Sequence, residues 1–319
     1  MHRKLKRSFA LVTASLMAFA IGACSTADSK DSPKPGSGKH SLHVFATTGY
    51  LADAVENIAP GVDVYTMVKP GGDPHTYQPS TKDIEELNSA DAVIWNGLHL
   101  EALMTKQLEG LGSKQIAVGS KLPKDMLLPW PEKDDAGNDL FDPHIWNSPE
   151  NWKIVVTEVA KHLGKIDPDN ADKYKDNAEK YNEKIDSADK AAKEVLAKIP
   201  ADQRNLVTGH DAFNYLGKRY DLKVYATDFV TSEAEKSASE LNDLAQLIAD
   251  KKVKTIFVDN LQNPQAVKSL QENVKSKGWN VAASDDELFA DSLGDKDPVN
   301  TYLGVLKHNT EAIAKGLGK

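Results

Sequence analysis

Residues 42–59, LHVFATTGYLADAVENIA, contain the pattern that decides the fold. The run 42–48 predicts a β-strand, and 49–59 continues directly as a helix. Strand-like and helix-like segments keep alternating from here to the C-terminus. Such alternation is typical of βα units built around a largely parallel sheet.

One long helical segment divides this alternation into two halves. From Asn170 to Ile199, apolar side chains recur at steps of three and four residues, as in a single amphipathic helix. At ~1.5 Å per residue such a helix spans roughly 45 Å. We therefore predict an α/β fold with two lobes, each with a mainly parallel sheet flanked by helices, joined by one long rigid helix. The predicted segments are a signal peptide at 1–23, a flexible tether at 24–40, a first lobe at 41–166, the linking helix at 167–200 and a second lobe at 201–319.

A long stretch rich in proline and acidic residues precedes the last helix of the first half. Residues 122–150, LPKDMLLPWPEKDDAGNDLFDPHIWNSPE, predict a loop, and loops of this length are often functional. At its end, Ser148 is a suitable N-cap for a helix with Pro149 at its first position.

The N-terminus predicts export. Residues 1–23 combine a basic start with an apolar run that is too short to span a bilayer. The run ends at Ile21-Gly22-Ala23-Cys24, which resembles a bacterial lipobox and implies cleavage before Cys24 with lipid attached to its sulfur. The alternative is an ordinary secretory signal with an incidental cysteine. Because Cys24 is the only cysteine, the sequence excludes an intramolecular disulfide and a thiolate metal site.

The charge of the chain argues against a nucleic-acid partner. The 319 residues carry 39 basic and 47 acidic side chains, a formal net charge of −8, although the first seven residues are strongly basic. An acidic body lacks the basic surface that binding to phosphates requires. A cationic ligand is compatible with it.

The tripeptide Asp-Pro-His occurs twice, and both copies precede a predicted helix. The first is Asp73-Pro74-His75, after a predicted strand, and the second is Asp142-Pro143-His144. Proline fixes its own φ and stiffens each turn. A single loop histidine is more often a surface residue than a ligand, but the repeated frame suggests that two imidazoles are held for a shared task.

The second half supplies a histidine and an aspartate at comparable positions. His210 follows the predicted strand NLVTG, and Asp291 lies in ELFADSLG after the last predicted strand, with Asp295 and Asp297 as competitors. Ligands of open parallel sheets bind outside the carboxyl ends of the strands. Three imidazoles and one carboxylate suit a divalent first-row metal ion, whereas calcium and magnesium prefer oxygen ligands.

The remaining candidates are weaker. His99 heads a predicted helix near the same crevice and is a minor candidate ligand, and Asp211 and Glu233 are the loose candidates for a general base. The sequence contains no His-Glu-x-x-His, phosphate-binding glycine loop or Gly-x-Ser-x-Gly. These observations favour binding over catalysis, so we predict that the protein is not an enzyme.

The chain resembles the metal-binding lipoproteins, or solute-binding proteins, of ABC-type zinc and manganese importers (cluster A-I, or cluster 9). The resemblance runs from about residue 42 to the C-terminus. The segments that carry it are VFATTGYLADAVENIA (44–59), VKPGGDPHTYQPSTKDIEEL (68–87), ADAVIWNGLHLE (90–101), DPHIWNSPENW (142–152), VTGHDAFNYLGKRY (207–220), SEAEKSASEL (232–241), IFVDNLQNPQAVKSL (256–270), ADSLG (290–294) and TYLGVLKHNTEAI (301–313).

The resemblance implies a metal ion enclosed between the two lobes. The family's ligand positions fall on four residues of this chain, His75, His144, His210 and Asp291. Residues expected near the cleft or around the ligands are Asp73, Asp142, Asp211 and Glu233. The expected partners are a cognate ABC permease and ATPase, with the protein a monomer anchored through Cys24 to the outer face of the bacterial cell membrane.

The identity of the metal is less sharply indicated. Many zinc-specific relatives carry a histidine-rich loop before the second Asp-Pro-His, but residues 131–140 here are acidic and contain no histidine. Manganese-dedicated relatives often have glutamate where this chain has His210. We predict manganese or zinc, with iron less favoured. The competing interpretations are a lipid-anchored metal-dependent hydrolase and a surface adhesin with a structural metal.

Overall fold

Two parallel sheets form the framework of the protein. The computed structural model describes residues 41–133, 137–227, 236–260 and 264–318. The predicted signal peptide and tether lie outside these ranges, as do Cys24 and Glu233. Among the described helices, none has both the length and the apolar character that crossing a membrane requires.

The first sheet has the strand order β2-β1-β3-β4, with every neighbouring pair parallel. We call this sheet and the helices α1 to α4 the first lobe. Its strands are β1 His43–Ala46, β2 Asp63–Thr66, β3 Ala92–Trp95 and β4 Gln115–Ala117, and its helices are α1 Gly49–Ile58, α2 Thr81–Ser89, α3 Thr105–Glu109 and α4 Pro149–Ile166. Short 3-10 turns lie at Ala102–Met104, Gly112–Lys114, Val118–Lys121, Lys124–Met126 and Ile145–Asn147.

The predicted loop 122–150 contains a pair of antiparallel strands that the sequence did not indicate. Strands β5 Pro129–Lys133 and β6 Asp139–Phe141 pair antiparallel, with a register irregularity between Trp130 and Lys133. The prediction of a loop is therefore wrong for these two segments. Two prolines and several acidic residues argue against a strand in the sequence. Proline is nevertheless tolerated at the first residue of a strand and at irregularities, which is where β5 has it. At the end of this stretch Ser148 caps α4, accepting a hydrogen bond from the Asn151 amide at 3.3 Å, and Pro149 begins the helix as predicted.

Helix α5, Ala171–Leu196, connects the two halves of the chain. Its buried residues Tyr174 and Ile185 pack in the core of the first lobe, whereas Ala192 and Leu196 pack in the core of the second. The single long helix is confirmed, but it is shorter than predicted at both ends: a 3-10 turn precedes Ala171, and a turn leads from Leu196 to Pro200. The predicted boundaries of the segments remain a prediction.

The second sheet has the order β10-β9-β7-β8 and is likewise parallel. We call it, with helices α6 to α9, the second lobe. Its strands are β7 Asn205–Thr208, β8 Lys223–Ala226, β9 Thr255–Phe257 and β10 Ala282–Ala283, and its helices are α6 Asn214–Tyr220, α7 Ala238–Asp250, α8 Pro264–Ser276 and α9 Tyr302–Leu317. Further 3-10 turns lie at Pro168–Asn170 and Ala201–Gln203.

Candidate metal centre

His75 lies in the loop between β2 and α2, and Asp73 sets the shape of its turn. The Asp73 carboxylate accepts hydrogen bonds from the His75 amide at 2.8 Å and from the Thr76 hydroxyl at 3.0 Å. Aspartate commonly folds its own backbone in this way two residues on. Gly71, at φ 77°, supplies the left-handed conformation that starts the loop.

His144 follows β6, and Asp142 repeats the arrangement with one addition. The Asp142 carboxylate accepts a hydrogen bond from the His144 amide at 2.9 Å and also lies 2.7 Å from His144 Nδ1. Because an ionised carboxylate only accepts hydrogen bonds, Nδ1 carries the proton and Nε2 presents a lone pair. A metal-binding histidine is normally oriented by such a partner.

The second lobe contributes His210 and Asp291. His210 comes just after β7, and its amide donates a hydrogen bond to Asp259 at 2.9 Å. Asp291 follows Leu288, which forms an isolated parallel bridge with Asp259. Both residues therefore lie beyond the carboxyl ends of the second sheet's strands, where the rule for open α/β sheets places ligands.

The four side chains meet in one buried cluster. His144 Nε2 lies 3.2 Å from the Nε2 atoms of both His75 and His210, and 3.4 Å from Asp291 Oδ1. Asp291 Oδ2 lies 3.1 Å from His210 Nε2 and 3.5 Å from His75 Nε2. One ligand atom from each residue fits within 4.8 Å of all the others. The four residues are between 0% and 5% exposed.

The buried Asp291 carboxylate is surrounded by imidazole nitrogens at 3.1–3.5 Å, none of which makes a hydrogen bond of good geometry to it. Within the described part of the chain, neither of its oxygens accepts such a bond from any other group. Leaving buried charged oxygens unsatisfied is costly unless a cation compensates them. Three nitrogen donors and one carboxylate are a suitable donor set for such a cation.

Without a cation, His210 and Asp291 form a buried ion pair. Burial would raise the pKa of Asp291, but the neighbouring His210 and His144 hold it well below its ordinary value. Burial would lower the pKa of His210, but the Asp291 carboxylate raises it to about 9. His75 behaves differently, because burial dominates and lowers its pKa despite the same carboxylate.

Comparison with known proteins places the whole folded chain in one family. Residues 44–316 match the family model ZnuA, described as "Zinc-uptake complex component A periplasmic". The chain belongs to the ZnuA family. The predicted resemblance is thereby confirmed, since this is a family of solute-binding transport proteins.

Individual relatives cover nearly the full length of the chain. The manganese-binding lipoprotein MntA of Bacillus subtilis (strain 168) is 35% identical over 303 residues, 94% of this chain and 95% of that protein. The iron-binding protein YfeA of Yersinia pestis is 31% identical over 315 residues, 98% of this chain and 97% of that protein. The structure of the periplasmic zinc-binding protein TroA of Treponema pallidum superimposes with a TM-score of 0.80 at 33% identity, covering 86% of this chain and 99% of that chain. The predicted fold class is thus confirmed.

The other described histidines lie outside the cluster of this ZnuA-family chain. His43 contacts Asp63 and Glu86, and His162 and His308 each contact a backbone carbonyl oxygen. His99, predicted as a minor candidate, has a left-handed backbone (φ 70°) and packs edge-on against Trp130. The competitors of Asp291, residues 295 and 297, are exposed.

Asp211 lies beside the cluster but contacts other groups. The Asn214 side chain donates hydrogen bonds from Nδ2 to Asp211 at 2.9 Å and to Asp142 at 3.1 Å. It thereby links the carboxylate that follows His210 to the carboxylate that precedes His144. Burial raises the pKa of Asp211, and the nearby Asp142 carboxylate raises it further. The structure places Asp211 beside the cluster, and its role as a group that supports the ligands stays a prediction, as it does for Asp73 and Asp142.

Several supporting residues were missed by the sequence analysis. Buried Glu101 accepts hydrogen bonds from the Thr47 hydroxyl at 2.6 Å and from the Asn96 amide at 2.8 Å, and the Asn96 side chain donates to the Pro143 carbonyl at 3.0 Å. This chain of contacts fixes the turn that carries His144. Asp259 was also missed, although it follows β9 as His210 follows β7, and that shared strand-end position was a usable signal.

Proposed function

We propose that this protein is the extracytoplasmic binding component of an ABC importer for a divalent transition metal. His75, His144, His210 and Asp291 hold the ion between the lobes, and a cognate permease and ATPase receive it. The observation that supports this proposal is the buried convergence of three imidazole Nε2 atoms on a carboxylate that accepts no hydrogen bond of good geometry from the described residues.

We propose manganese or zinc as the cargo. Relatives with near-complete coverage are named for manganese, zinc and iron, so the family spans these ions. A nitrogen-rich donor set binds zinc more tightly than manganese in solution, and the ion carried in the cell then depends on supply. Elemental analysis of protein purified under defined metal supply, followed by zinc–manganese competition, tests this. Loading only with a monovalent or alkaline-earth ion would contradict it.

The closed surroundings of the cluster favour binding over hydrolysis. A catalytic metal site keeps one position open for water, with a base beside it. Here all four side chains are buried, and Asp211 is engaged by Asn214. No observation on the described residues favours the hydrolase or the adhesin interpretation. Hydrolytic turnover by the zinc-loaded protein would count against transport as its sole function.

We also propose that lipid on Cys24 anchors a monomeric protein at the outer face of the cell membrane. The sequence around Cys24 and the lipoprotein relatives support this. Cys24→Ser is expected to move the protein from the membrane fraction to the soluble one. Retention of the variant in washed membranes would contradict the lipid anchor. A molecular mass in solution equal to two chains would contradict the monomer.

Transport itself is tested in cells. Deleting the gene should lower accumulation of the cognate metal at limiting supply, and the wild-type gene should restore it. A variant lacking all four proposed ligands should be exported normally and fail to restore accumulation. Full restoration by that variant would refute the proposed site.

Asp142→Asn is expected to weaken zinc binding by about 10- to 100-fold, the usual cost of losing a partner that orients a metal-binding histidine. Asparagine has nearly the same shape but lacks the charge that fixes the protonated Nδ1 of His144 at 2.7 Å. Competition against a chelator of known affinity measures the change.

Asp63→Asn is a matched control, because Asp63 also faces a histidine Nδ1, that of His43, at 2.9 Å but outside the cluster. Its zinc affinity should equal that of the wild type. Equal effects of the two substitutions would show that Asp142 has no particular role in orienting a ligand.

A further inference from the structure

The segment that carries Asp291 belongs to both lobes. Leu288 and Ala290 pack in the core of the second lobe, whereas Phe289 and Leu293 pack in a cluster that joins the core of the first lobe to residues of α9. Alternate side chains therefore point to different cores. Asp291 lies at the centre of this segment, so its position depends on how both lobes hold the chain around it.

Hydrogen-bond donors of the first lobe hold the segment on each side of Asp291. On the N-terminal side, the Ala290 carbonyl accepts from Trp146 Nε1 at 2.8 Å and from the Tyr50 hydroxyl at 3.2 Å. On the C-terminal side, the Ser292 hydroxyl accepts from the Gly71 amide at 3.0 Å.

These donors are themselves fixed close to the other ligands. Trp146 and Tyr50 stack at 5.2 Å between ring centroids, and the Trp146 ring lies edge-on to His144 at 5.3 Å. Gly71 belongs to the loop that carries His75. The contacts on Ala290 and Ser292 therefore join the Asp291 segment to the two turns that carry the first-lobe histidines.

The second lobe contacts the same two residues through one side chain. Asn260 Oδ1 accepts from the Ala290 amide at 3.1 Å, and Asn260 Nδ2 donates to the Ser292 hydroxyl at 2.8 Å. The Ser292 hydroxyl thus accepts one hydrogen bond from each lobe, from the Gly71 amide of the first and from Asn260 Nδ2 of the second.

We propose that Tyr50, Trp146, Gly71 and Ser292 act as a clasp that sets the rate of metal release. Tyr50, Trp146 and Ser292 are positioning residues, and Gly71 contributes its amide. This proposal rests on the proposed metal-binding function. Separating the lobes around the ion breaks the clasp contacts, so they lower the energy of the closed state and slow opening. In this proposal the open protein binds the ion before the lobes close. Weakening the contacts between the lobes therefore changes the rate of metal dissociation more than the rate of association.

Tyr50→Phe and Ser292→Ala test the clasp with small changes of shape. Tyr50→Phe removes the hydroxyl and keeps the ring that stacks on Trp146, and Ser292→Ala removes the acceptor of the Gly71 amide. Loss of one hydrogen bond corresponds to roughly a fivefold change in rate. We expect zinc dissociation to accelerate about fivefold in each variant, with association changed by less than about twofold. Stopped-flow mixing of zinc-loaded protein with excess chelator measures dissociation, and mixing of metal-free protein with zinc measures association.

Tyr174→Phe and Ser276→Ala are matched controls. Tyr174 donates to Asp167 at 2.7 Å and Ser276 to the Asn273 carbonyl at 2.6 Å, both away from the cluster. They should release zinc at the wild-type rate. Thermal unfolding of the metal-free variants checks that they fold. Tyr50→Phe and Ser292→Ala remove different hydrogen bonds, so a single folded variant is sufficient to test the clasp.

Release rates equal to those of the controls would overturn the clasp, as would an equal acceleration of association and dissociation. Failure of the wild-type protein to bind zinc is a separate result. Failure to bind zinc would overturn the proposed function and the clasp together. Zinc binding with equally slow zinc release from the wild type and the variants would overturn the clasp alone.

Discussion

Replacing His144 with alanine is expected to weaken zinc binding by about 100- to 1,000-fold, because a four-ligand site supplies ~10–16 kcal/mol in total. His144 should have the largest effect of the three histidines. It is fully buried, and its Nε2 is within 3.4 Å of an atom of every other member of the cluster. Its loss therefore removes a donor and leaves a cavity that water fills without restoring the geometry. Chelator competition measures the affinity.

His162→Ala is the control for removing a buried histidine. His162 also belongs to the first lobe and is 8% exposed, but its ring contacts the Lys114 carbonyl instead of the cluster. This variant should unfold at a lower temperature and bind zinc with wild-type affinity. If His144→Ala bound zinc within tenfold of the wild type, His144 would not be a ligand.

The fold was largely predictable because its elements carry local signals. The Ser148-Pro149 start of α4 and the apolar stripe of α5 depend only on neighbouring residues, and both are present in the structure. The strand pair at 129–133 and 139–141 was missed because its prolines and acidic residues mask the strand pattern. Strand order in each sheet was not predictable, since periodicity reports which face of a strand is buried and not which strand lies beside it.

The four cluster residues were accessible from sequence for a different reason. His75 and His144 share a repeated frame, and His210 follows a predicted strand. Asp291, in contrast, had competitors nearby and was singled out by the family resemblance.

The residues that hold these ligands in place had no local sequence signal. Tyr50 looks like an ordinary core residue of α1, yet it contacts Ala290, 240 positions away. Contacts of this kind arise only from the packing of the two lobes.

Asp291→Asn is expected to change the proton balance of zinc binding as well as the affinity. In the metal-free protein the Asp291 carboxylate raises the pKa of His210 to about 9, so His210 is protonated at neutral pH. Zinc requires the neutral imidazole, and binding must therefore displace this proton. Affinity for zinc should consequently rise with pH up to about 9, and fall as protons compete at lower pH.

Asparagine removes the negative charge of Asp291, which stabilises the buried, protonated imidazole of His210. Asp259 and Asp73 still raise the pKa of His210, but without the largest favourable charge this pKa should fall from about 9. At pH 7.5 the variant should release fewer protons per zinc than the wild type. Calorimetric titration in two buffers with different ionisation enthalpies counts the protons. Asp295→Asn, at an exposed position four residues on, should leave the count unchanged. An unchanged count in Asp291→Asn would mean that this carboxylate does not govern the charge of His210, and the pairing inferred for the metal-free cluster would be wrong.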